Sequence, residues 1–220
     1  MPGDVPVKKL ILIPAVITLA VTLLRLAGEL MHWSPTLFNA EAGGGGALVG
    51  IAWLVPAFGI YFAVKLLGMG HRPPAVGPAI GYALLGFAIL PVVGIGAVKA
   101  LGLAPQSNEA FGLFIVLALV GGVLAFRGWP DLGRTLVAYG LAARIPVVLV
   151  MLFAILGNWG THYDVPPNPE FPAMSPLAKW FMIGVLPQLT IWIWFTLAVG
   201  ALFGSIAAAV KGRAKGAATA

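Results

Sequence analysis

The sequence predicts a single all-α domain over residues 1–220, a polytopic integral membrane protein with a bundle of about six transmembrane helices. The first observation is composition: 60% of the 220 residues are hydrophobic and 9% are charged, whereas about 25% of the residues in soluble domains are charged. The second is that apolar runs of roughly 20 residues, enough to cross a hydrocarbon core of about 30 Å, recur along the chain. So few charges cannot cover the apolar surface of a soluble fold, and the bilayer must be the solvent for much of the protein.

Six apolar segments follow one another along the chain. Each is expected to be helical, because the hydrocarbon core offers no water to pair with an open backbone, and none shows the apolar–polar alternation of a transmembrane barrel strand. Gly77 with Gly81, and Gly200 with Gly204, form G-x-x-x-G pairs that favour close helix contact. The predicted segment boundaries are 10–30, 47–67, 76–98, 110–126, 135–156 and 180–210.

The lysines and arginines between the segments predict the orientation. Nine lie at the amino terminus, in the second and fourth connections and in the tail, whereas the other connections contain two, Lys99 and Lys179. Because basic flanks tend to stay cytoplasmic, both termini are predicted to be cytoplasmic, in a multi-pass protein of the cell's inner or plasma membrane. The first segment follows basic residues as a signal peptide does, but the small-residue cleavage site lies too far from its apolar run, which favours a retained helix.

Polar residues follow one face of the first segment. Their spacings of four, three, four and three residues match the period of a helix, and they are Thr18, Thr22, Arg25, Glu29 and His32. Because the rest of the segment is apolar, this stripe is expected to turn away from lipid, toward other helices or a water-filled cavity. In a purely structural alternative, Arg25 and Glu29 at i and i+4 neutralise each other and hold helices together.

Arg144 stands within the otherwise apolar fifth segment. At about 1.5 Å per residue, Glu29 lies about 28 Å and Arg144 about 13 Å above the inner ends of their helices. Gln188, on a helix that enters from the outside, falls at about 18 Å on the same scale. Gln188 rather than Glu29 is therefore the expected neighbour of Arg144. Together with Arg25 and His32, these residues are predicted to form an outward-facing polar pocket with Arg144 as its floor. In the alternative, Arg144 extends inward to the headgroup phosphates.

The predicted outer connections contain a second group of candidate site residues. Glu41 precedes four glycines at 43–46, and His162, Tyr163 and Asp164 lie together in the fifth connection. A histidine beside a carboxylate offers a titratable group and an acceptor, and exposed amides at a helix start can hold an anion. Adjacent loop residues do not share a helical face, so a solvated loop and a glycine hinge are the alternatives.

The sequence also disfavours several classes of function. Cysteine is absent, which removes disulfides, thiolate catalysis and cysteine-ligated metal centres. No metalloprotease, hydrolase, P-loop or dinucleotide-binding motif occurs in the chain. No cofactor or metal is predicted. No nucleic-acid partner is predicted either, because the basic residues are dispersed beside apolar runs, where they meet lipid headgroups.

The sequence favours a non-enzymatic membrane protein whose partners are the lipid bilayer and either other membrane subunits or further copies of itself. The leading interpretation is an accessory or interaction subunit with the outward-facing polar pocket, because there is no deep carboxylate to couple transport to a cation. A carrier of a small solute, an anion or a lipid is the first alternative. A membrane-embedded enzyme is the second, and it would need His162, Asp164 and Glu41 to converge on one cleft.

Overall fold

The computed structural model describes residues 3–44, 46–104, 107–166 and 173–217, and within these ranges the chain is helical with no strand. Among the described residues, five helices are long and apolar enough to cross a membrane, and a sixth apolar helix is shorter. The predicted all-α, multi-pass membrane architecture is therefore confirmed. In chain order the helices are α1 (Val7–Leu30), α2 (Leu54–Gly68), α3 (Val76–Ala100), α4 (Asn108–Gly128), α5 (Pro130–Gly157) and α6 (Pro176–Gly212).

Helix α6 occupies the centre of the bundle. It packs against α2, α3, α4 and α5, while α1 packs mainly on α5. A Cβ built on Gly59 of α2 would lie 2.4 Å from the carbonyl oxygen of Gly200, and one on Gly204 would lie 2.9 Å from the carbonyl oxygen of Gly59. Side chains at these positions would push α2 and α6 apart, so the crossing requires small residues. The Gly200–Gly204 pair thus lies at a helix contact.

The surface of the bundle is apolar, as expected for a surface in contact with lipid. Val16 on α1, Val123 on α4 and Leu149 on α5 are all exposed. The Gly77–Gly81 pair of α3 also lies on this surface, because a Cβ on either glycine would meet no atom within 4 Å. This pair therefore forms no close contact with the described helices. The spacing of two glycines predicts that they share a helix face, but it does not determine which way that face turns.

The second apolar segment begins its helix later than the sequence predicts. The prediction starts at residue 47, whereas α2 begins at Leu54 and has 15 residues. Gly43, Gly44 and Gly46 have φ angles of 68°, 81° and 74°, left-handed values that are incompatible with an α-helix and that glycine adopts without steric penalty. The residues that follow form irregular backbone, which a membrane protein tolerates where it lines a cavity or is covered by protein. A loop at residues 47–53 therefore replaces the first third of the predicted span.

Two of the long helices are interrupted close to an internal proline. Helix α3 contains a π-helical turn at Ile89–Gly94, which includes Pro91, and α6 contains another at Trp180–Val185. Shortly after Pro187, α6 is distorted again at Thr190, which has φ −122° and ψ −73°. A proline cannot donate the backbone hydrogen bond of its turn, which gives these interruptions a direct cause. The first part of α6 is thus a set of short helical pieces rather than a straight helix.

Candidate functional site

A cavity of about 560 Å³ lies at the end of the bundle where α1 ends and α6 begins. We call it the outer cavity, and its wall includes Thr22, Gly44, Val147, Tyr163 and Gln188. In that order, these residues belong to α1, to the irregular segment that precedes α2, to α5, to the turn after α5 and to the broken part of α6. The volume is within the range of roughly 300–1,000 Å³ that is usual for small-molecule sites.

Arg144 is the more buried of the two arginines in the described wall of the outer cavity. Its side chain projects from α5, is 4% exposed and donates from Nη1 to Oε1 of Gln188 at 3.2 Å. The guanidinium carbon lies 4.2 Å from the centre of the Trp192 ring, in a cation–π contact. Gln188 belongs to Leu186–Leu189, the short helical piece between the two interruptions of α6. The guanidinium is therefore held between α5 and the irregular part of α6.

Arg25 and Glu29 form a buried ion pair beside the outer cavity. Nε of Arg25 donates to Oε1 of Glu29 at 2.8 Å, and the glutamate side chain is 0% exposed. Nη2 of Arg25 also donates to the carbonyl oxygens of Asn39 at 3.2 Å and of Gly44 at 3.1 Å. A Cβ at Gly44 would lie 2.4 Å from Nη2, so this approach requires glycine. The pair therefore fixes the irregular segment before α2 onto α1.

The turn after α5 is anchored to the same carboxylate. The backbone N–H of His162 donates to Oε2 of Glu29 at 2.9 Å. Nδ1 of His162 lies 2.6 Å from Oε1, although the angle is not that of a hydrogen bond. Asp164 is engaged within the turn, where it accepts from the backbone N–H groups of Gly160 and Thr161 and from the Thr161 hydroxyl. Glu29 thus holds, directly or through Arg25, both loops that contribute to the wall of the outer cavity.

The described wall of the outer cavity contains one positive charge that no described negative group balances. Burial lowers the pKa of His162 by more than its contact with Glu29 raises it. Burial also raises the pKa of the Tyr163 phenol, so both side chains are uncharged near pH 7. Arg25 is balanced by Glu29. No described carboxylate forms an ion pair with Arg144.

The structure divides the residues that the sequence predicts for a polar pocket. Three of them line the outer cavity: Arg25, Arg144 and Gln188. Glu29 lies behind Arg25 and is not part of the wall. His32 is exposed and also lies outside the wall, which corrects its expected place in the pocket. The physical reason is that α1 ends at Leu30 and His32 has a φ of 52°, so the chain leaves the helical face before it reaches the imidazole.

The residues predicted as an outer-loop site are also divided. His162 and Tyr163 line the outer cavity. Glu41 is exposed and lies outside the wall, and Asp164 is engaged by the hydrogen bonds of its own turn. Glu41, His162 and Asp164 are therefore not brought together on one wall of the outer cavity.

Trp192 is a residue of the site that the sequence reasoning missed. It contacts Arg144, and helical spacing from Gln188 does not predict it, because α6 is distorted at Thr190 between the two residues. The N-terminal part of the polar stripe on α1 has a different role from the C-terminal part. Oγ1 of Thr18 lies 2.8 Å from the Tyr139 hydroxyl of α5, which makes this part a helix contact.

Comparison of the chain with models of protein families, with curated proteins and with solved structures gives no match. No residue role can therefore be transferred from a relative. In the part of the chain that the structure describes, no group of three or more His, Asp or Glu residues is placed to hold a metal ion. Function has to be inferred from the geometry of the outer cavity and the chemistry of its wall.

Proposed function

We propose that this chain is a non-enzymatic membrane protein that binds a small ligand in the outer cavity, either as a carrier or as a ligand-binding subunit. The observation that carries the proposal is that a buried cation, Arg144, lines a cavity large enough for a small molecule. A charge inside a membrane protein is costly, and where it occurs it commonly marks a substrate or ion pathway. The separate placement of Glu41, His162 and Asp164 supports binding over catalysis.

The way in which the loops around the outer cavity are fixed supports the same proposal. Glu29 binds Arg25 and the backbone of His162, and Arg25 binds carbonyl oxygens of the irregular segment before α2. Both loops are therefore held by buried contacts within the protein itself. A wall that is already ordered lowers the entropy cost of binding, and preformed concave sites are the usual form of small-molecule site.

Filling the outer cavity tests the proposal. Val147 lines the cavity and is 4% exposed, whereas Leu149, two residues further along α5, is 50% exposed on the lipid-facing surface. We expect Val147→Trp to lose the small molecules that co-purify with the wild-type protein and are seen in native mass spectra, and Leu149→Trp to keep them. Ile51→Trp fills the cavity from the loop side and gives a second variant if Val147→Trp does not fold. Equal occupancy in the filled variants and in Leu149→Trp would contradict the proposal.

A second candidate function is association with another membrane helix, as an accessory subunit or as a homo-oligomer. It is favoured by Gly77 and Gly81, which leave part of α3 open to close approach. The chain has no natural cysteine, so Gly77→Cys is expected to form a disulfide-linked product in oxidised native membranes when a cysteine-containing partner or a second copy lies there. Val123→Cys, on the exposed surface of α4, is the control. Equal cross-linking of the two variants would contradict association through α3.

We also propose that the outer cavity faces away from the cytoplasm, in the cell's inner or plasma membrane. The distribution of Lys and Arg, nine against two, supports this orientation. A reporter fused after Ala220 is expected to be active only in a form that requires the cytoplasm. A reporter inserted near Asn168, which lies outside the described residues, is expected to be active only in a form that requires the exterior. The reverse result would turn the outer cavity toward the cytoplasm.

A further inference from the structure

We infer that the outer cavity binds an amphipathic anion, with a carboxylate or phosphate head group held by Arg144 and an apolar chain lying along the rest of the wall. The inference rests on the proposed ligand-binding function and adds the chemical class of the ligand. Carboxylates and phosphates present paired oxygens to the planar fork of a guanidinium in the same way. A fatty-acid carboxylate and a lipid phosphate are thus two sources of one head-group chemistry.

Arg144 has donors left for such a ligand. A guanidinium carries five N–H donors in one plane, and the bond from Nη1 to Gln188 is the only one that Arg144 makes with the described residues. The ring of Trp192 lies over the guanidinium, 4.2 Å from its carbon. The edge of the guanidinium plane is then where a further partner can bind, and carboxylate or phosphate oxygens bind along that edge two at a time.

The charge balance of the wall favours an anion. Arg25 is already paired with Glu29, and burial lowers the pKa of His162, which keeps its ring neutral near pH 7. Arg144 is thus a cation that is 4% exposed and has no described carboxylate as its partner. A buried charge without a counter-ion is strongly unfavourable, and an anionic ligand supplies that counter-ion.

The rest of the wall favours a ligand with a hydrocarbon part. Val147 and Met151 on α5 and Ile183 and Pro187 on α6 all line the outer cavity, and their side chains offer no strong hydrogen-bond donor or acceptor. A small inorganic anion would leave this apolar surface in contact with water. An apolar chain removes it from water, which is the favourable direction of the hydrophobic effect. The combination of one cation without a carboxylate partner and a mainly apolar wall therefore matches an amphiphile.

The test is isothermal titration of the purified full-length protein, in a non-ionic detergent, with five probes: decanoate, decyl phosphate, 1-decanol, acetate and inorganic phosphate. We expect decanoate and decyl phosphate to bind at least about tenfold more tightly than the uncharged alcohol or the chainless anions. Arg144→Gln is expected to weaken decanoate binding by about tenfold to a hundredfold and to leave 1-decanol binding unchanged. Arg127→Gln removes the same charge at an exposed position of α4 and is expected to bind as the wild type does.

Equal affinity of the wild type for decanoate and 1-decanol would overturn the anionic head group. This comparison needs no variant, so it decides the matter even where Arg144→Gln does not fold. Acetate or inorganic phosphate binding as tightly as decanoate would overturn the apolar chain. The proposed function fails by a different result, namely Val147→Trp and Leu149→Trp retaining the same co-purified molecules. Tighter binding of decyl phosphate than of decanoate, or the reverse, supports the inference and assigns the source of the head group.

Discussion

Replacement of Glu29 by glutamine tests whether one carboxylate holds both loops over the outer cavity. The side chains of Glu29 and Arg25 are 0% and 12% exposed. Glutamine keeps the shape and one acceptor oxygen, but Arg25 loses its counter-ion, and either Arg25 Nε or the His162 N–H loses its acceptor. Removing one partner of a buried ion pair costs roughly 3–5 kcal/mol. Because Arg25 keeps two carbonyl acceptors, we expect the lower end of this range for Glu29→Gln.

The expected loss lowers Tm by about 6–12 °C, since 1 kcal/mol shifts Tm by about 2–4 °C for a chain of this length. Scanning fluorimetry of the detergent-purified protein measures the shift. Glu41→Gln makes the same chemical change at an exposed glutamate outside the wall, and we expect it to change Tm by no more than about 2 °C. The same Tm for Glu29→Gln and Glu41→Gln would refute the reasoning, because a carboxylate that holds two loops cannot be replaced as freely as an exposed one.

Three further predictions concern packing, pH and the Arg144–Gln188 contact. Gly59→Ala is expected to lose about 1–3 kcal/mol of stability through overpacking, because its Cβ would lie 2.4 Å from a backbone oxygen of α6. Gly77→Ala, with nothing within 4 Å, is expected to be neutral or to stabilise by about 1 kcal/mol at most, and equal losses of stability would contradict the crossing. Burial lowers the pKa of His162 in the folded protein, so below its ordinary value of 6.5 the unfolded chain binds a proton that the folded chain does not. Tm is therefore expected to fall from about pH 7 to pH 5 by more in the wild type than in His162→Gln, and equal slopes would contradict this. Arg144→Lys is expected to be poorly tolerated, and Gln188→Leu to add no further loss of Tm to it, whereas additive losses would show that the two side chains do not act together.

The sequence predicts well the helices whose apolar runs are long enough to cross a membrane. The predicted boundaries of α1, α3 and α4 lie within three residues of those in the structure, and α5 begins five residues earlier than predicted, because length and hydropathy alone decide whether such a segment can cross a membrane. The start of α2 could not be predicted in this way. Residues 47–53 have the composition of a membrane segment, but the left-handed φ angles of the glycines before them are a backbone property that hydropathy does not contain.

The sequence predicts how far along its helix each site residue lies, but not which way its side chain points. Arg144 and Gln188 fall at similar depths because both heights follow from the rise of an α-helix, and the structure has them in contact. The contact between Glu29 and His162 joins residues 133 positions apart. It depends on how the turn after α5 folds, and no spacing in the chain determines that conformation. His32 is the opposite case. Its spacing continues the helical stripe of α1, but α1 ends at Leu30, before His32 is reached.

The glycines before α2, the Arg25–Glu29 pair and Arg144 depend on one another through the shape of the outer cavity. Because the glycine conformations delay the start of α2, residues 47–53 form a loop instead of the first third of the predicted helix, and this loop lines the same cavity as Arg144. Arg25 fixes this loop by donating a hydrogen bond to the carbonyl oxygen of Gly44. A side chain at Gly44 would meet the Arg25 guanidinium, displace it from Glu29 and so weaken the hold of Glu29 on the turn at His162. The residues that create the space for a ligand are therefore also the ones that fix the loops around Arg144.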